Sequence, residues 1–202
     1  MKRLFDFSIS FLGLALLAPL LMIIGILVRI KLGSPVVFKQ QRPGFNGKPF
    51  MMYKFRTMTE AQNANGELLL DGERLTPFGK LLRATSIDEL PELFNVLKGD
   101  MSLVGPRPLL MRYTSYFTER EKLRFTVLPG ITGWAQINGR NESSWDKRLS
   151  DDIWYVEHRC FLMDLKILLR TFSDVFVSKG VVTDARSIML NLDEERSAKK
   201  EI

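Results

Sequence analysis

The longest pattern in the chain is an apolar run near its N-terminus. The 22 residues from Phe7 to Val28 include no charge, and a helix of that length, roughly 33 Å, could span the hydrocarbon of a bilayer. Pro19 lies near the middle, where it removes a backbone hydrogen bond, and basic residues flank both ends. Since a spanning helix usually has its positive charge on one side, we expect a re-entrant helix-hairpin that breaks at Ala18–Pro19.

Two alternatives for this run stay open. A cleaved signal peptide is disfavoured because the run is long and has no small-residue cleavage site near its end. A plain single span is a stronger alternative, because spanning helices tolerate a proline kink.

The remaining periodicity predicts short elements. In chain order they are strands at about Val36–Gln41 and Phe50–Arg56, a polar loop over Asn63–Arg74, helices over Thr76–Arg83 and Leu90–Leu97, and one long helix over Asp152–Ser178. The apolar stripe of the long helix suits either a core or a membrane interface. The pattern predicts an α+β fold that is mostly α, with a small β-hairpin and interfacial amphipathic helices.

Composition narrows the possible chemistry. One cysteine, Cys160, and one histidine, His158, exclude a disulfide within the chain and disfavour a Cys/His zinc site. Any metal would need oxygen ligands, which favours Mg²⁺. The formal net charge is +6, and residues 1–60 hold nine Lys/Arg against two acids. This asymmetry indicates a polyanionic partner: nucleic acid, anionic lipid or a phosphorylated substrate.

Two adjacent carboxylates, Asp88 and Glu89, precede a proline in the stretch ATSIDELPEL. They have a structural interpretation, either as a capping box between Ser86 and Glu89 or with Asp88 as the N-cap and Pro91 in the first helical turn. They also have a chemical one, because a carboxylate can attack phosphorus and its neighbour can hold Mg²⁺. At this point both interpretations stand.

Basic side chains supply candidate phosphate ligands. These are Lys54, Arg56, Arg83, Arg107 and Arg140. Each could equally be a solvated surface charge. Arg107 is the most specific, because prolines on both sides fix its backbone in a way that suits bidentate phosphate binding; the alternative is a rigid surface turn. Neither GxxxxGK[ST] nor GxGxxG occurs.

A series of motifs resembles those of the bacterial sugar transferases. These are the monotopic phosphoglycosyl transferases, which transfer a sugar phosphate to polyprenyl phosphate. In chain order these are KRLFD, the broken apolar run, RPG, YKFRTM, SIDELPELFNVLKGDMSLVGPRPLL and PGITGWAQINGRN. The resemblance covers Lys2 to about Phe176. The chain length is similar to that of the small, single-domain members, such as the bacillosamine-phosphate transferases.

The resemblance implies a catalytic role for the dyad. Asp88 would attack the β-phosphate of a UDP-sugar, UMP would leave, and polyprenyl phosphate would take the phosphosugar from Asp88. Mg²⁺ would bind at Asp88 and Glu89, and Arg107 would bind the nucleotide part of the donor. The full set of substrate-binding candidates is Lys54, Arg56, Arg83, Pro106, Arg107, Pro108, Gln136, Asn138 and Arg140.

The resemblance also implies a location and partners. Residues 1–33 would be the re-entrant membrane helix and residues 34–202 one cytoplasmic catalytic domain at the bacterial inner membrane. The partners would be a UDP-sugar with an N-acetylated amino sugar, undecaprenyl phosphate and membrane lipid, without nucleic acid, and homodimerisation is left open. The family's helix break reads Ser-Pro, whereas this chain has Ala18–Pro19, so the hydroxyl that could satisfy the broken backbone is missing.

Two rival functions are weighed against this one. The stretch TPFGKLLRATSIDELPELFNVLKG can be interpreted as a helix-turn-helix in a membrane-tethered nucleic-acid-binding module. Against it, Leu90–Leu97 contains no base-reading Arg, Lys or Gln, and Asp88, Glu89 and Glu92 would repel phosphates. A membrane scaffold that binds partners through Asp152–Ser178 would leave the dyad and Arg107 unexplained.

Overall fold

A computed structural model describes residues 1–139, 144–176 and 191–198. The architecture is mostly helical, as predicted, and it contains two small sheets, of which the sequence predicted one. The helices are α1 (Lys2–Leu32), α2 (Asp71–Arg74), α3 (Pro77–Ala84), α4 (Glu92–Lys98), α5 (Trp134–Asn138), α6 (Trp145–His158), α7 (Phe161–Phe176) and α8 (Leu192–Ala198). The strands are β1 (Val37–Pro43), β2 (Pro49–Phe55), β3 (Ser102–Val104) and β4 (Gly130–Thr132). Short 3-10 helices cover Phe45–Gly47, Ile87–Glu89, Met111–Tyr116 and Glu121–Thr126.

Helix α1 contains the apolar run and continues through Pro19. The helix is therefore not interrupted at Ala18–Pro19, where the sequence predicts a break; a proline removes one backbone hydrogen bond, and long apolar helices tolerate that loss. Within the described part of the chain, α1 is the one helix that is long and apolar enough to cross a membrane. Its exposed large side chains form a broad apolar surface: Leu4, Phe7, Ile9, Phe11, Leu12, Leu16, Leu20, Met22, Ile23, Ile26 and Ile30.

The opposite face of α1 packs on the globular part of the protein near both of its ends. Near the N-terminus, the buried Asp6 carboxylate accepts a hydrogen bond from Ser102 Oγ at 2.8 Å. Near the C-terminus, Val28 is fully buried in an apolar cluster with Phe55 and Leu82. Both ends of α1 are thus attached to the same body.

Strands β1 and β2 form the predicted hairpin, with borders shifted by one or two residues. They pair antiparallel from Val37 opposite Phe55 to Pro43 opposite Pro49. Because side chains alternate along a strand, Arg42 and Lys54 lie on the same face of the hairpin.

The segment around the dyad adopts neither predicted cap. Ser86 is left-handed (φ 55°) and makes no side-chain capping bond, Ile87–Glu89 form a 3-10 turn, and Pro91 is the N-cap of α4. Both capping predictions are therefore wrong. For the capping box the reason is that the Glu89 carboxylate bonds to Lys54 and Arg107 instead, where both partners of each hydrogen bond are charged.

Asn95 joins α4 to β2. Its fully buried amide accepts a hydrogen bond from Tyr53 N at 3.1 Å and donates one to Met51 O at 2.6 Å. Helix α4 ends at Gly99, which is left-handed (φ 92°), as the Lys98–Gly99 pair predicts. Because α4 packs against α1 and β2, it is not presented as a recognition helix, and the nucleic-acid-binding hypothesis loses its structural basis.

A short parallel sheet supports the loop that contains Arg107. Strand β3 pairs with β4, with Ser102 opposite Gly130. A Cβ on Gly130 would lie 2.1 Å from the backbone nitrogen of Gly105, so glycine is required for this close approach. The GPRP and PGITG motifs are therefore in direct contact.

The predicted helix over Asp152–Ser178 is wrong as a single element. The chain forms α6 and α7, with extended backbone at Arg159 (φ −57°, ψ 131°) between them. The Tyr155 hydroxyl donates to Asp164 Oδ1 at 2.7 Å, a contact between the two helices that one straight helix would not allow. The second, α7, is amphipathic: Ile167 is fully buried, whereas Phe161, Leu162, Leu165, Leu169 and Phe172 are exposed.

Candidate active site

One cavity of about 1040 Å³ collects most of the predicted site residues. It lies between the β1–β2 hairpin, the α3–α4 segment, the loop after β3 and the helices α5–α7. Asp88, Glu89, Lys54, Arg83 and Arg107 all line it. Charged groups from three separate stretches of sequence therefore meet at one place.

Asp88 is 6% exposed and lies on the cavity wall. No hydrogen bond to its carboxylate comes from any residue that the structure describes. Burial, assisted by the charge of Glu89, raises the pKa of Asp88 to about 6, although Lys54, Arg107 and Arg83 act to lower it. The Asp88 carboxylate thus borders the cavity in a cationic environment, without a hydrogen bond from any described residue.

Glu89 is held by two cations. It accepts hydrogen bonds from Lys54 Nζ at 2.7 Å and from both Nη atoms of Arg107, the Nη1 contact being 3.3 Å. Burial acts to raise the pKa of Glu89, but Arg107 and Lys54 outweigh it and hold that pKa well below its usual range. The two adjacent carboxylates therefore have pKa values pushed apart, an arrangement typical of groups with different roles in one site.

Glu92 is a third carboxylate in this cluster that the sequence analysis did not select. It is fully buried, and its Oε1 lies 3.2 Å from Lys54 Nζ. Burial raises its pKa to about 7, with Lys54 opposing and Glu89 reinforcing the rise. Only its position one helical turn after Asp88 could have indicated that it faces the same cations.

We expect Glu92→Gln to change how stability depends on pH. Because the folded-state pKa of Glu92 (about 7) lies above the reference value of 4.5, the wild-type protein should lose stability as pH rises between these values, by at most about 3 kcal/mol. Glutamine has no such proton to lose, so the variant should gain stability relative to wild type over this range and then level off. Urea unfolding from pH 4 to 8 measures the difference, with the exposed Glu67→Gln as control. A difference that is independent of pH would contradict the assignment.

The backbone of Arg107 is anchored by a buried ion pair. Arg124 Nη2 donates to the carbonyl oxygen of Arg107 at 2.6 Å and lies 2.9 Å from Asp152 Oδ2, and both side chains are almost fully buried. The pKa of Arg107 is raised mainly by the charge of Glu89. Sequence reasoning missed Arg124 and Asp152, because no motif distinguishes a buried arginine from an exposed one.

The other predicted cations, Arg83 and Arg56, both line the cavity but differ in their hydrogen-bond partners. Arg83 Nε donates to Thr57 Oγ1 at 3.1 Å and the side chain lines the cavity. Arg56 also lines it, but its guanidinium donates to the carbonyl oxygens of Met58, at 2.8 Å, and Ser34. These hydrogen bonds of Arg56 therefore hold the neighbouring backbone in place. Arg140 lies outside the described residues.

The uncharged candidates differ in whether they line the main cavity. Gln136 on α5 lines the main cavity. Pro106 and Pro108 border a small second cavity beside the loop, and both flank Arg107. Asn138 donates to Trp134 O at 3.0 Å within α5 and does not line the main cavity. The structure therefore brings Gln136 to the site and leaves Asn138 outside it.

The dyad suits Mg²⁺ only in cooperation with a ligand. The described residues include no group of three or more His, Cys, Asp or Glu side chains able to hold a metal. Mg²⁺ is usually bound by one or two carboxylates together with substrate phosphates and water. The hard oxygen ligands of Asp88 and Glu89 fit that mode.

Comparison with known proteins agrees with this chemistry. A family model described as bacterial sugar transferase matches residues 1–178. The chain is 55% identical over 181 residues to a sugar transferase named EpsL from Bacillus subtilis (strain 168), covering 90% of both chains.

Two further relatives are named for their reactions. The chain is 41% identical over 189 residues to a UDP-glucose:undecaprenyl-phosphate glucose-1-phosphate transferase of Klebsiella pneumoniae, covering 89% of this chain and 41% of that one. It is 36% identical over 188 residues to a UDP-N-acetylgalactosamine-undecaprenyl-phosphate N-acetylgalactosaminephosphotransferase of Aeromonas hydrophila, covering 89% and 44%. The chain thus spans less than half the length of these two relatives.

Proposed function

This chain belongs to the bacterial sugar transferase family, and we propose that it transfers a sugar 1-phosphate from a UDP-sugar to undecaprenyl phosphate. The observation that carries the proposal is the buried Asp88 carboxylate, which lines a large cavity beside Glu89, Lys54 and Arg107. The names of the Klebsiella and Aeromonas relatives support the same reaction class.

The reaction proceeds in two displacements at one phosphorus atom. An Asp88 oxygen attacks the β-phosphorus of the UDP-sugar, and the bond from this phosphorus to the bridging oxygen breaks, releasing UMP. An oxygen of undecaprenyl phosphate then attacks the same phosphorus and displaces Asp88. Because each step forms one P–O bond and breaks another, no oxidant or reductant is needed.

The cations around the dyad have separate tasks. Glu89 holds the Arg107 guanidinium and Arg124 holds the Arg107 backbone, so that the remaining N–H donors of Arg107 can bind the nucleotide phosphates. Lys54 and Arg83 face the same cavity and stabilise charge on the transferring phosphoryl group. Glu89, kept ionised by its partners, fixes the positions of Lys54 and Arg107.

Asp88 and Glu89 are the residues that would hold Mg²⁺. When bound, the ion neutralises phosphate oxygens and so lowers the cost of bringing two anions together. Asp88 would attack the substrate, while Glu89 would keep Lys54 and Arg107 in position.

For the donor, we propose an N-acetylated amino sugar, on the resemblance of the motifs of this chain to those of the bacillosamine-phosphate transferases. The relatives include enzymes named for glucose and for N-acetylgalactosamine, so the donor panel must include both kinds. Purified protein should release UMP from one UDP-sugar in the presence of Mg²⁺ and undecaprenyl phosphate. If no UDP-sugar, including the rare amino sugars, yields UMP with folded protein, the proposal fails.

For the membrane, we propose that residues 1–33 form a re-entrant helix that bends at Pro19 while remaining helical, and that residues 34–202 form a catalytic unit on the cytoplasmic face. The attachment of both ends of α1 to one body supports this topology, because a straight span would place those ends on opposite faces. The exposed apolar sides of α1 and α7 supply membrane contact.

Cysteine labelling tests this topology. In a Cys160→Ser background, cysteines placed at Lys2 and at Arg29 should both resist a membrane-impermeant maleimide in intact cells and both react after lysis. Labelling of one end in intact cells would establish a plain span instead. A cysteine at Lys48, in the β1–β2 turn, serves as the control for the cytoplasmic side.

A further inference from the structure

Arg42 is a cation of the main cavity that the two displacements do not use. It lies on β1 and lines the same cavity as Asp88, Glu89 and Arg107. Its Nη2 donates to Gln40 Oε1 at 2.6 Å, and its Nη1 makes only a long contact of 3.4 Å with Pro108 O. Its Nε is buried and has no hydrogen-bond partner among the described residues. A guanidinium has five N–H donors, so Arg42 has unused bonding capacity.

No carboxylate that the structure describes forms a salt bridge with Arg42. Burial and the nearby charge of Arg107 lower its pKa to about 10, although Glu92 and Tyr113 act in the opposite direction. Arg148 on α6 lines the same cavity, and burial and Arg107 lower its pKa too. Arg42 and Arg148 are therefore both close enough to Arg107 for its charge to lower their pKa.

Two of the acidic groups near this cavity already have cationic partners. Glu89 is bound by Arg107 and Lys54, and Asp152 is bound by Arg124. A buried positive charge without a matching carboxylate is costly, and a bound anion would offset that cost. The planar fork of an arginine matches the oxygens of a phosphate group.

We propose that Arg42 binds a phosphate group of a substrate in a subsite beside the Asp88–Glu89 dyad. The inference rests on the proposed function, which brings two phosphate-bearing molecules to this cavity in turn. The phosphate has two possible sources, the nucleotide of the donor and the undecaprenyl phosphate acceptor. Gln40, bonded to Arg42 Nη2, orients the guanidinium for either one.

The test compares Arg42→Gln with Lys39→Gln. Lys39 is exposed on the same strand with its side chain on the other face, so the control removes an equal charge outside the cavity. In a two-displacement reaction, kcat/KM for each substrate reports only on its own half-reaction. We expect Arg42→Gln to lower one of the two values by about 10- to 100-fold, the size of one lost charge-assisted bond, and Lys39→Gln to change neither.

Binding of UMP, measured by calorimetry, identifies the source independently of turnover. A parallel loss in UMP affinity and in kcat/KM for the donor assigns the subsite to the nucleotide. Unchanged UMP affinity with a loss in kcat/KM for the acceptor assigns it to the lipid phosphate. Unchanged values for both substrates and for UMP overturn the inference.

Two further results keep this inference separate from the proposed function. If the wild-type protein binds UMP but transfers no sugar, the proposed function fails, and weaker UMP binding by Arg42→Gln still supports the subsite. If Arg42→Gln does not fold, Arg42→Lys, which keeps the charge but loses the fork, replaces it. Wild-type kinetics and UMP affinity in Arg42→Lys would then count against a bidentate phosphate ligand.

Discussion

Replacing Asp88 with asparagine is expected to reduce sugar-phosphate transfer by at least about 10⁴-fold, the scale seen when a covalent nucleophile is removed. An amide of the same shape cannot attack phosphorus and then leave from it. Stability should be unchanged or slightly higher, because burial disfavours the charged form of Asp88, whose pKa is raised to about 6, and asparagine is neutral. The Asp88→Asn variant should therefore lose catalytic activity without losing stability.

A single-turnover experiment without acceptor measures this effect. Wild-type protein with a UDP-sugar should release a burst of UMP close to one per active site and retain the phosphosugar, whereas Asp88→Asn should do neither. Asp71→Asn is the matched control, since Asp71 also lines the cavity but is about half exposed. Activity of Asp88→Asn above about a tenth of wild type would exclude Asp88 as the nucleophile.

The second large effect is expected for Glu89→Gln, which should lower kcat by about 10³-fold. Glutamine keeps the shape of the side chain but removes the charge that Lys54 and Arg107 share. Both cations would then lose their common anchor, and the ionised neighbour that helps to raise the pKa of Asp88 would be gone. The fall should appear mainly in kcat, because positioning at the reacting phosphorus matters most in the transition state.

A double-mutant cycle separates this role from a general loss of packing. Lys54→Met and Glu89→Gln together should cost less than the sum of the two single changes, because they remove the same interaction. The control is Glu60→Gln, another glutamate on the cavity wall whose side chain is mostly exposed. If the losses of activity in the double mutant are additive, or if Glu89→Gln and Glu60→Gln lose equal activity, Glu89 does not act by positioning Lys54 and Arg107.

The dyad shows why local patterns were insufficient for the capping predictions. The stretch from Ser86 to Pro91 contains residues suitable for two kinds of helix cap, yet neither forms. Glu89 instead reaches Lys54, 35 residues earlier, and Arg107, 18 residues later. A cap can be predicted from neighbours in sequence, but competition from distant cations cannot.

The C-terminal helices show the same limit for periodicity. A stripe of leucines predicted one helix from Asp152 onwards, and the structure has a break at Arg159. The bond from Tyr155 to Asp164 requires the chain to turn there. Apolar spacing reports which faces are buried, whereas the direction of the chain depends on what each face packs against.

By itself, the sequence determined the apolar helix, the β-hairpin, the end of α4 at Gly99 and the choice of Asp88, Glu89, Lys54 and Arg107 as candidates. These features depend on neighbours along the chain or on motifs. The tertiary structure alone decided that Arg42, Glu92 and Arg124 belong to the same site. The physical reason is that burial and charge act through space: an arginine or a glutamate acquires its pKa and its partners only when the fold buries it beside distant segments of the chain.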